Sequence, residues 1–222
     1  MEQRLTRRRS LVALGGLAAA AASWRAEDAG AGPAAVASGA VSCVLTPEMT
    51  EGPYYIPDEA VRRNITEGLP GAPLALRLTV VSASTCMPVA GAKVDIWHAS
   101  ALGVYSGVQG NTGTFMRGVQ PTTPHGVALF ETVYPGWYTG RAVHIHVKVH
   151  LGGNVVHTGQ LFFPDTLTDR VYQRSPYSTR PARDTRNTTD AIFRNGGSRS
   201  MLKVARSGSG YVGAIVLGVH RT

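Results

Sequence analysis

Short apolar or alternating runs recur along the chain after about residue 40, and each is bounded by Gly, Pro, Asn or Ser. The first run, LALRLTVV at residues 74–81, sets Leu and Val against Ala, Arg and Thr, which predicts a strand with one apolar face. Five further runs have a similar character: residues 93–98, 127–133, 143–149, 155–163 and 211–219. No long helical period follows residue 40. We therefore expect an all-β fold, an antiparallel β-sandwich core with long loops, or a barrel as the alternative.

The first 40 residues differ from the rest in composition. Residues 6–11 read TRRRSL and precede an apolar stretch at 11–22, which is the layout of a secretory signal and is too short for the roughly 20 residues of a membrane span. The paired arginines favour the twin-arginine export route over an ordinary secretory leader. We predict a signal peptide and flexible spacer in residues 1–40 and one domain in residues 41–222. The protein would be exported, periplasmic or extracellular, with no stable membrane span after leader removal.

The formal net charge of +8 is unevenly distributed. Five arginines and Glu2 lie within residues 1–26, so +4 of the charge belongs to the remainder. The stretch from residue 170 to residue 206 is rich in Arg, Ser, Thr and Asn. It contains nine basic residues and only two acidic ones, Asp184 and Asp190. We interpret this stretch as a solvated loop region rather than a patch for anionic partners. It lacks the interleaved aromatic residues of a nucleic-acid surface, so no nucleic-acid partner is expected.

The chain contains two cysteines, Cys43 and Cys86. In an oxidising compartment an even pair predicts one disulfide, and closing so long a loop could stabilise the fold by roughly 4 kcal/mol. Two buried free thiols are the alternative. The wide spacing matches no metal-ligand pattern.

The candidate chemistry centres on the sequence YTGRAVHIH at residues 138–146. If this segment is a strand, His144 and His146 lie on the same face and present two nitrogen donors to one metal ion. Two histidines do not complete a site, and no Glu or Asp lies between His144 and Phe163. The nearby donors are tyrosines: Tyr105, Tyr134 and Tyr138. Because phenol has a pKa near 10, phenolate ligands at neutral pH require a strong Lewis acid, and ferric iron is the natural candidate.

Several motifs accompany these residues in a fixed order. They are TEGPYY at 50–55, VDIWH at 94–98, GVYSG at 103–107, YPGWY at 134–138 and TGQLFF at 158–163, with Arg141 and the two histidines between the last two. The combination extends from about Cys43 to Asp165 and resembles the intradiol ring-cleaving dioxygenases, in particular their exported single-domain members. The segment after Asp165 has no motif that we can match.

The resemblance implies an enzyme that cleaves a small aromatic diol with O2. It implies that Tyr105, Tyr138, His144 and His146 bind a non-haem Fe(3+) ion, with Tyr138 preferred over Tyr134 because it directly precedes the Arg and His-x-His block. Tyr138 would also act as a catalytic base. It further assigns catalytic roles beside the substrate to Arg141 and Gln160, and the wall of the substrate pocket to Gly52, Pro53 and Tyr54. A structural ion pair is the alternative role for Arg141. Trp97 would pack beneath the site.

Two departures from the family pattern limit what the resemblance implies about substrate and oligomeric state. Only five residues separate Tyr138 from His144, so the loop that contacts substrate in several members is short here. We also expect the chain to lack room for the N-terminal helical dimerisation region of the catechol-cleaving branch, which leaves the oligomeric state open. A non-catalytic secreted binding module and a zinc or copper enzyme built on the histidines are the alternative functions.

Overall fold

A computed structural model describes residues 43–220, so the leader and spacer predicted for residues 1–40 lie outside the described residues. The described chain forms eight strands and two short α-helices, which confirms the all-β expectation. The elements are β1 (Pro73–Ser82), β2 (Lys93–Trp97), β3 (Arg117–Pro121), β4 (Val127–Val133), β5 (His144–Leu151), β6 (Asn154–Phe162), α1 (Asp165–Val171), α2 (Ala191–Arg194), β7 (Lys203–Ser207) and β8 (Gly210–Val219). Two 3-10 helices, Tyr177–Thr179 and Gly197–Ser200, lie between α1 and β7.

The strands form two four-stranded sheets packed as a sandwich. One sheet has the order β4-β1-β8-β7 and the other has the order β3-β2-β5-β6. All neighbours are antiparallel except β1 and β8, which run parallel along their full length. The predicted sandwich is therefore confirmed, and this one parallel pairing makes its first sheet mixed. Because β7 and β8 form a hairpin, β8 runs opposite to β7. The direction of β8 is the same as that of β1.

The core lies between the two sheets and follows the alternation seen in the sequence. On β1, Leu74, Leu76, Leu78 and Val80 are buried while Ala75 and the next alternate positions are partly exposed. The facing sheet contributes apolar side chains from β2 and β5, and all belong to one cluster: Val94, Ile96, Ile145, Val147 and Val149. Fully burying one such side chain stabilises the fold by about 1.5–3 kcal/mol, so this alternation determines which face of each strand points inward.

The outer face of the second sheet is also buried. Residues 144–149 of β5 are buried on both faces, so the polar residues at alternate positions do not face open solvent. Residues 43–67 cross this face and are fixed by backbone bonds from Met49 N to Thr158 O and from Arg62 N to Val119 O. Cys43, at the start of this segment, is disulfide-bonded to Cys86, with 5.3 Å between the Cα atoms. The sheet thus carries a covered polar layer, in which the candidate site lies.

The structure corrects the interpretation of residues 170–206 as a solvated loop region. This segment contains the end of α1, both 3-10 helices, α2 and part of the core, including Tyr177 and Leu202. Arg183 donates to Asp165 at 2.5 Å and to Asp169 at 2.7 Å. The paired acids precede the basic stretch in sequence, so counting charges within the stretch missed them.

Among residues 43–220, no helix is long and apolar enough to cross a membrane.

Candidate metal centre

The register of the second sheet sets four chemically distinct side chains in one row. Trp97 on β2 pairs with Arg117 on β3 and with His146 on β5, and His146 in turn pairs with Gln160 on β6. His144 lies two residues before His146 on the same face, as the sequence predicts for a strand. The sheet therefore brings two imidazoles next to each other in its covered polar layer.

The four predicted metal ligands lie together at this point. The Nε2 atoms of His144 and His146 are 3.1 Å apart, and the Tyr138 hydroxyl lies 3.1 Å from His144 Nε2. The Tyr105 ring centroid is 5.5 Å from that of Tyr138 and 6.2 Å from that of His146. Two nitrogen donors and two oxygen donors, from β5 and two separate loops, thus converge.

The protonation of His144 follows from its neighbours. Its Nδ1 lies 2.6 Å from the carbonyl oxygen of Ala142, which can only accept, so Nδ1 carries the hydrogen and Nε2 the lone pair. Burial, followed by the charge of Arg141, lowers the pKa of His144 to about 3. Burial and the neighbouring His144 likewise lower the pKa of His146 well below its usual value. At neutral pH both rings are uncharged and have the protonation state that a metal requires.

The two phenols have complementary properties. Burial raises the pKa of Tyr105 well above its usual value, and its hydroxyl is buried without a hydrogen-bond partner. Burial also raises the pKa of Tyr138, although the adjacent Arg141 opposes the rise. A buried hydroxyl without a partner is unfavourable, and a bound cation would satisfy it while stabilising the phenolate. The donor set fits ferric iron because it combines two imidazoles with two phenol oxygens, which become anionic donors when they bind a strong Lewis acid.

Carboxylates contribute little to this centre. Within the described residues 43–220, no group of three or more His, Cys, Asp or Glu side chains could hold a metal ion. Tyr134, the competing tyrosine in the sequence, lies in the core, where its hydroxyl bonds Thr168 at 2.8 Å and its ring packs on Phe163. Its position agrees with the preference for Tyr138.

Local structure holds the candidate ligands in place. A turn from Tyr138 to Arg141, closed by the bond from Arg141 N to Tyr138 O at 3.3 Å, has Gly140 at φ +80° as a type II turn requires. This turn returns the arginine toward the tyrosine hydroxyl. The Trp97 ring stacks on the His146 ring at 4.9 Å with an interplanar angle of 6°, in agreement with the expectation that Trp97 packs beneath the site.

Arg141 and Gln160 lie beside the centre and contact each other. The Arg141 Nη1 atom is 3.5 Å from the Tyr138 hydroxyl and 3.4 Å from His144 Nε2, and its Nη2 donates to Gln160 Oε1. Gln160 Nε2 donates to the carbonyl oxygen of Thr50 at 2.9 Å. The third guanidinium nitrogen, Nε, donates to Asp190 at 2.9 Å. Asp190 was not predicted as a site residue, because it is 49 residues from Arg141 and has no motif around it.

The residues predicted for the pocket wall are only partly at the centre. Tyr54 packs on Tyr105 with 4.8 Å between ring centroids, and Gln109 Nε2 donates to its hydroxyl at 2.8 Å. Gly52 has φ +74°, and a Cβ added there would lie 3.3 Å from His146 Cε1, so its backbone passes close over that ring. Pro53 is exposed. Gly52 and Tyr54 therefore border the candidate ligands, whereas Pro53 is exposed.

Comparison with solved structures identifies the family. An intradiol ring-cleavage dioxygenase from Tetranychus urticae is 35% identical with a TM-score of 0.77, and the match covers 80% of this chain and 95% of that one. The dioxygenase domain of a dioxygenase and carbohydrate-binding protein fusion from Streptomyces sp. SirexAA-E is 33% identical with a TM-score of 0.64, covering 80% of this chain and 99% of that one. No model of a known protein family matches the chain. On these structural relatives, the chain belongs to the intradiol ring-cleavage dioxygenase family.

A curated relative adds a shorter match. A chlorocatechol 1,2-dioxygenase from Pseudomonas putida is 29% identical over 135 residues, which cover 51% of this chain and 52% of that protein. The chain thus spans about half the length of the curated relatives that it matches.

Proposed function

We propose that the protein is a non-haem Fe(III) intradiol dioxygenase that cleaves a catechol-type aromatic diol between its two hydroxylated carbons. Both atoms of O2 enter the product, a muconate-type diacid, so the reaction needs no other reductant. The observation that carries the proposal is the convergence of Tyr105, Tyr138, His144 and His146 within hydrogen-bond and ring-contact distance of one another. Family membership and the catechol-derived name of the curated relatives support the same reaction class.

These four residues would hold the iron. Two phenolates would offset two of its three positive charges, which suits a buried site without carboxylates. A ferric ion held there would supply a Lewis acid that draws charge from a bound diol and so makes a ring carbon reactive toward O2. The Trp97 ring beneath His146 and the Ala142 carbonyl on His144 Nδ1 fix the directions of the two imidazoles.

Proton transfer falls to Tyr138 in this proposal. A diol loses two protons when it binds as a dianion, and a nearby group must accept them. Tyr138 is less buried than Tyr105, and the adjacent Arg141 opposes the rise of its phenol pKa. Its oxygen can therefore exchange a proton with the substrate, whereas the fully buried Tyr105 is suited to hold the metal throughout.

Arg141 and Gln160 would stabilise and orient the reacting group. The Arg141 guanidinium carries a fixed positive charge and directs Nη1 at the His144 and Tyr138 side of the centre. A preformed cation at that place lowers the energy of negative charge that develops on the substrate during oxygen attack. Gln160 fixes Nη2 of the same arginine while its own amide is fixed by Thr50. Tyr54 packs on the ring of Tyr105, which is only 3% exposed.

The test is oxygen uptake by the purified protein across a panel of catechols, with the mass and absorption spectrum of each product. Muconate-type products with iron in the protein are expected. Yellow semialdehyde products would instead indicate cleavage outside the two hydroxylated carbons. An iron-free, colourless protein from well-supplied cells would contradict the proposal, and zinc or copper found by metal analysis would favour the alternative histidine-based enzyme.

The tyrosine ligands are tested by single substitutions. Tyr105→Phe and Tyr138→Phe should each abolish the visible band of tyrosinate-to-iron charge transfer or shift it strongly, and should lower activity, because each removes one anionic oxygen donor. Tyr134→Phe is the matched control, since that tyrosine lies in the core and bonds Thr168. The control should lose at most about 1 kcal/mol of stability and keep its colour. Retention of the band in both ligand variants would refute the assignment.

The predicted leader supports an additional proposal on location. A twin-arginine signal in residues 1–40 would export the domain after it has folded with its metal. N-terminal sequencing of the mature protein and loss of export on replacing Arg7 and Arg8 by Lys would test this. Retention in the cytoplasm of the unaltered chain would count against it.

A further inference from the structure

The carboxylate of Asp190 is buried and bonds the chain on two sides. Its side chain is only 1% exposed. One oxygen, Oδ1, accepts from the backbone amides of Ile192 at 2.7 Å and Phe193 at 3.1 Å, which caps α2. The other oxygen, Oδ2, accepts from Arg141 Nε at 2.9 Å and from the Ala142 amide at 2.7 Å. Each oxygen therefore serves a different part of the molecule.

The second set of bonds reaches the candidate metal centre. Arg141 has its Nε on Asp190 and its Nη2 on Gln160, so the plane of the guanidinium is fixed and Nη1 faces Tyr138 and His144. Ala142, whose amide is held by Asp190, supplies the carbonyl that accepts from His144 Nδ1. Because the guanidinium is rigid and planar, fixing two of its nitrogens determines the direction of the third.

The charge of Asp190 suits this role. Burial alone would raise its pKa, but the Ala142 amide and the Arg141 guanidinium hold the pKa below its usual value. The carboxylate is therefore ionised at neutral pH and attracts a cation that is itself only 17% exposed. A charged hydrogen bond between two such groups is stronger than a neutral one and holds its geometry more tightly.

We infer that Asp190 is a positioning residue for ring cleavage, which acts through Arg141 and Ala142 to fix the guanidinium beside the metal ligands; this inference rests on the proposed function. Asp190 does not contact the four ligands or the substrate region itself. Its contribution is to keep Nη1 of Arg141 in place before the substrate arrives, so that no reorganisation is needed during the reaction. A loss of about 100-fold in rate is typical when a reacting or stabilising group is misplaced by about 1 Å.

One substitution separates this role from the capping of α2. In Asp190→Asn the amide oxygen can still accept from Ile192 and Phe193, but the amide nitrogen that replaces Oδ2 cannot accept from Arg141 Nε. Asp190→Ser is the second variant, because serine also caps helices and is too short to reach the guanidinium. Asp184→Asn is the matched control, since Asp184 accepts from the Gly140 amide in the same loop but does not bond Arg141.

The kinetic experiment compares wild type, Asp190→Asn, Arg141→Met and the double variant, each loaded with iron. Asp190→Asn should lower kcat by about 100-fold, with KM for catechol changed much less. The double variant should be no slower than Arg141→Met, because residues that act as one unit are not additive. The visible band and the binding of catechol without O2 should persist in Asp190→Asn, and Asp184→Asn should match wild type in every respect.

A second readout needs neither iron nor turnover. In the metal-free protein the Arg141 Nε–H should exchange slowly with solvent, because it is bonded to a buried carboxylate. Its NMR signal is assigned by its loss in Arg141→Met. Protection should vanish in Asp190→Asn and Asp190→Ser and persist in Asp184→Asn.

Each remaining outcome supports or overturns the inference. An unchanged kcat in Asp190→Asn overturns it, and so do rate losses that multiply in the double variant. Failure of both Asp190 variants to fold would make the residue structural only. A wild-type protein that binds iron but cleaves no catechol overturns the proposed function and the catalytic part of the inference with it. In that case the Arg141 exchange measurement still shows whether Asp190 holds the guanidinium.

Discussion

His98 directly follows Trp97 and is fully buried, with both of its ring nitrogens engaged by the protein. Nδ1 lies 2.8 Å from the Ala99 carbonyl, and Nε2 lies 2.8 Å from the Thr132 hydroxyl. A histidine with both nitrogens occupied has no lone pair free for a metal, unlike His144, whose Nε2 faces another imidazole. These contacts are those of a packing histidine and not of a metal ligand.

Acid should destabilise the metal-free protein through His98. Burial lowers its folded pKa to about 4 from the usual 6.5. The stabilising contribution of the neutral ring is therefore complete above pH 6.5 and is lost as pH falls toward 4, because the unfolded chain binds the proton first. The difference corresponds to about 3 kcal/mol. The measurement is the free energy of unfolding by denaturant at several pH values between 4 and 7.

The control for this prediction is His98→Gln, which cannot take up a proton. The other buried histidines contribute in the same direction, so the variant should keep part of the pH dependence but have a shallower slope than wild type. Equal slopes for the two proteins between pH 4 and 6.5 would refute the assignment to His98.

Single residues of the candidate centre differ in how far the sequence could reveal them. His144 and His146 follow from strand periodicity, because alternate residues share a face. Tyr105 lies in a loop between β2 and β3, so no strand periodicity marks it, and the family resemblance chose it from the three candidate tyrosines. Asp190 could not be found by either route, since its partner Arg141 is distant in sequence and ion pairs across a fold leave no local pattern.

The strands also differ in how far the sequence could reveal them. Six of eight were predicted within two residues at each end, because they carry the apolar side chains that fill the core. The two that were missed, β3 and β7, are edge strands. β7 is almost wholly exposed, and β3 is held by polar contacts such as those of Arg117 with Ser106. Neither kind of strand produces the apolar alternation by which strands are recognised.

The loop between β4 and β5 depends on a close backbone approach at Gly136. Its amide donates to Ser100 O at 2.9 Å, and a Cβ added there would lie 2.3 Å from the Ala101 carbonyl oxygen. That atom is backbone and cannot move away alone. Gly136→Ala should therefore shift the loop that carries Tyr138, cost about 2–3 kcal/mol in stability and weaken iron binding. Unfolding by denaturant and titration of the visible band measure the two effects.

Gly140→Ala is the control in the same loop. Gly140 has φ +80°, but an added Cβ there meets no atom within 4 Å. The substitution should cost about 1–2 kcal/mol through backbone strain alone and leave iron binding close to that of wild type. If both alanine variants weakened iron binding equally, the close approach at Gly136 would not be the cause.

At the scale of the whole molecule, the N-terminal segment joins the two sheets and covers the site. Thr46 N bonds Gly218 O in one sheet, and Met49 N bonds Thr158 O in the other. Gly52 and Tyr54 follow directly and border the candidate metal ligands. This arrangement could not be read from hydrophobic patterning, because residues 43–67 form no regular strand and are held by isolated backbone bonds.

The disulfide anchors the start of that covering segment. Cys43 and Cys86 are separated by 43 positions, and in the chain-entropy model a cross-link of this length stabilises the folded state by about 4 kcal/mol. The double variant Cys43→Ser/Cys86→Ser should lose up to about that amount in denaturant unfolding. Iron binding should largely persist, because the bonds of Thr46 and Met49 still hold the segment on both sheets.

Reductant provides the control for the cross-link itself. Wild type with reductant should unfold at the same denaturant concentration as the double serine variant, because both lack the covalent loop in the unfolded state. The variant itself should not respond to reductant. If wild type were equally stable with and without reductant, the chain-entropy argument would fail for this loop. Loss of iron in the variant would show instead that the backbone bonds alone do not keep Gly52 and Tyr54 against the centre.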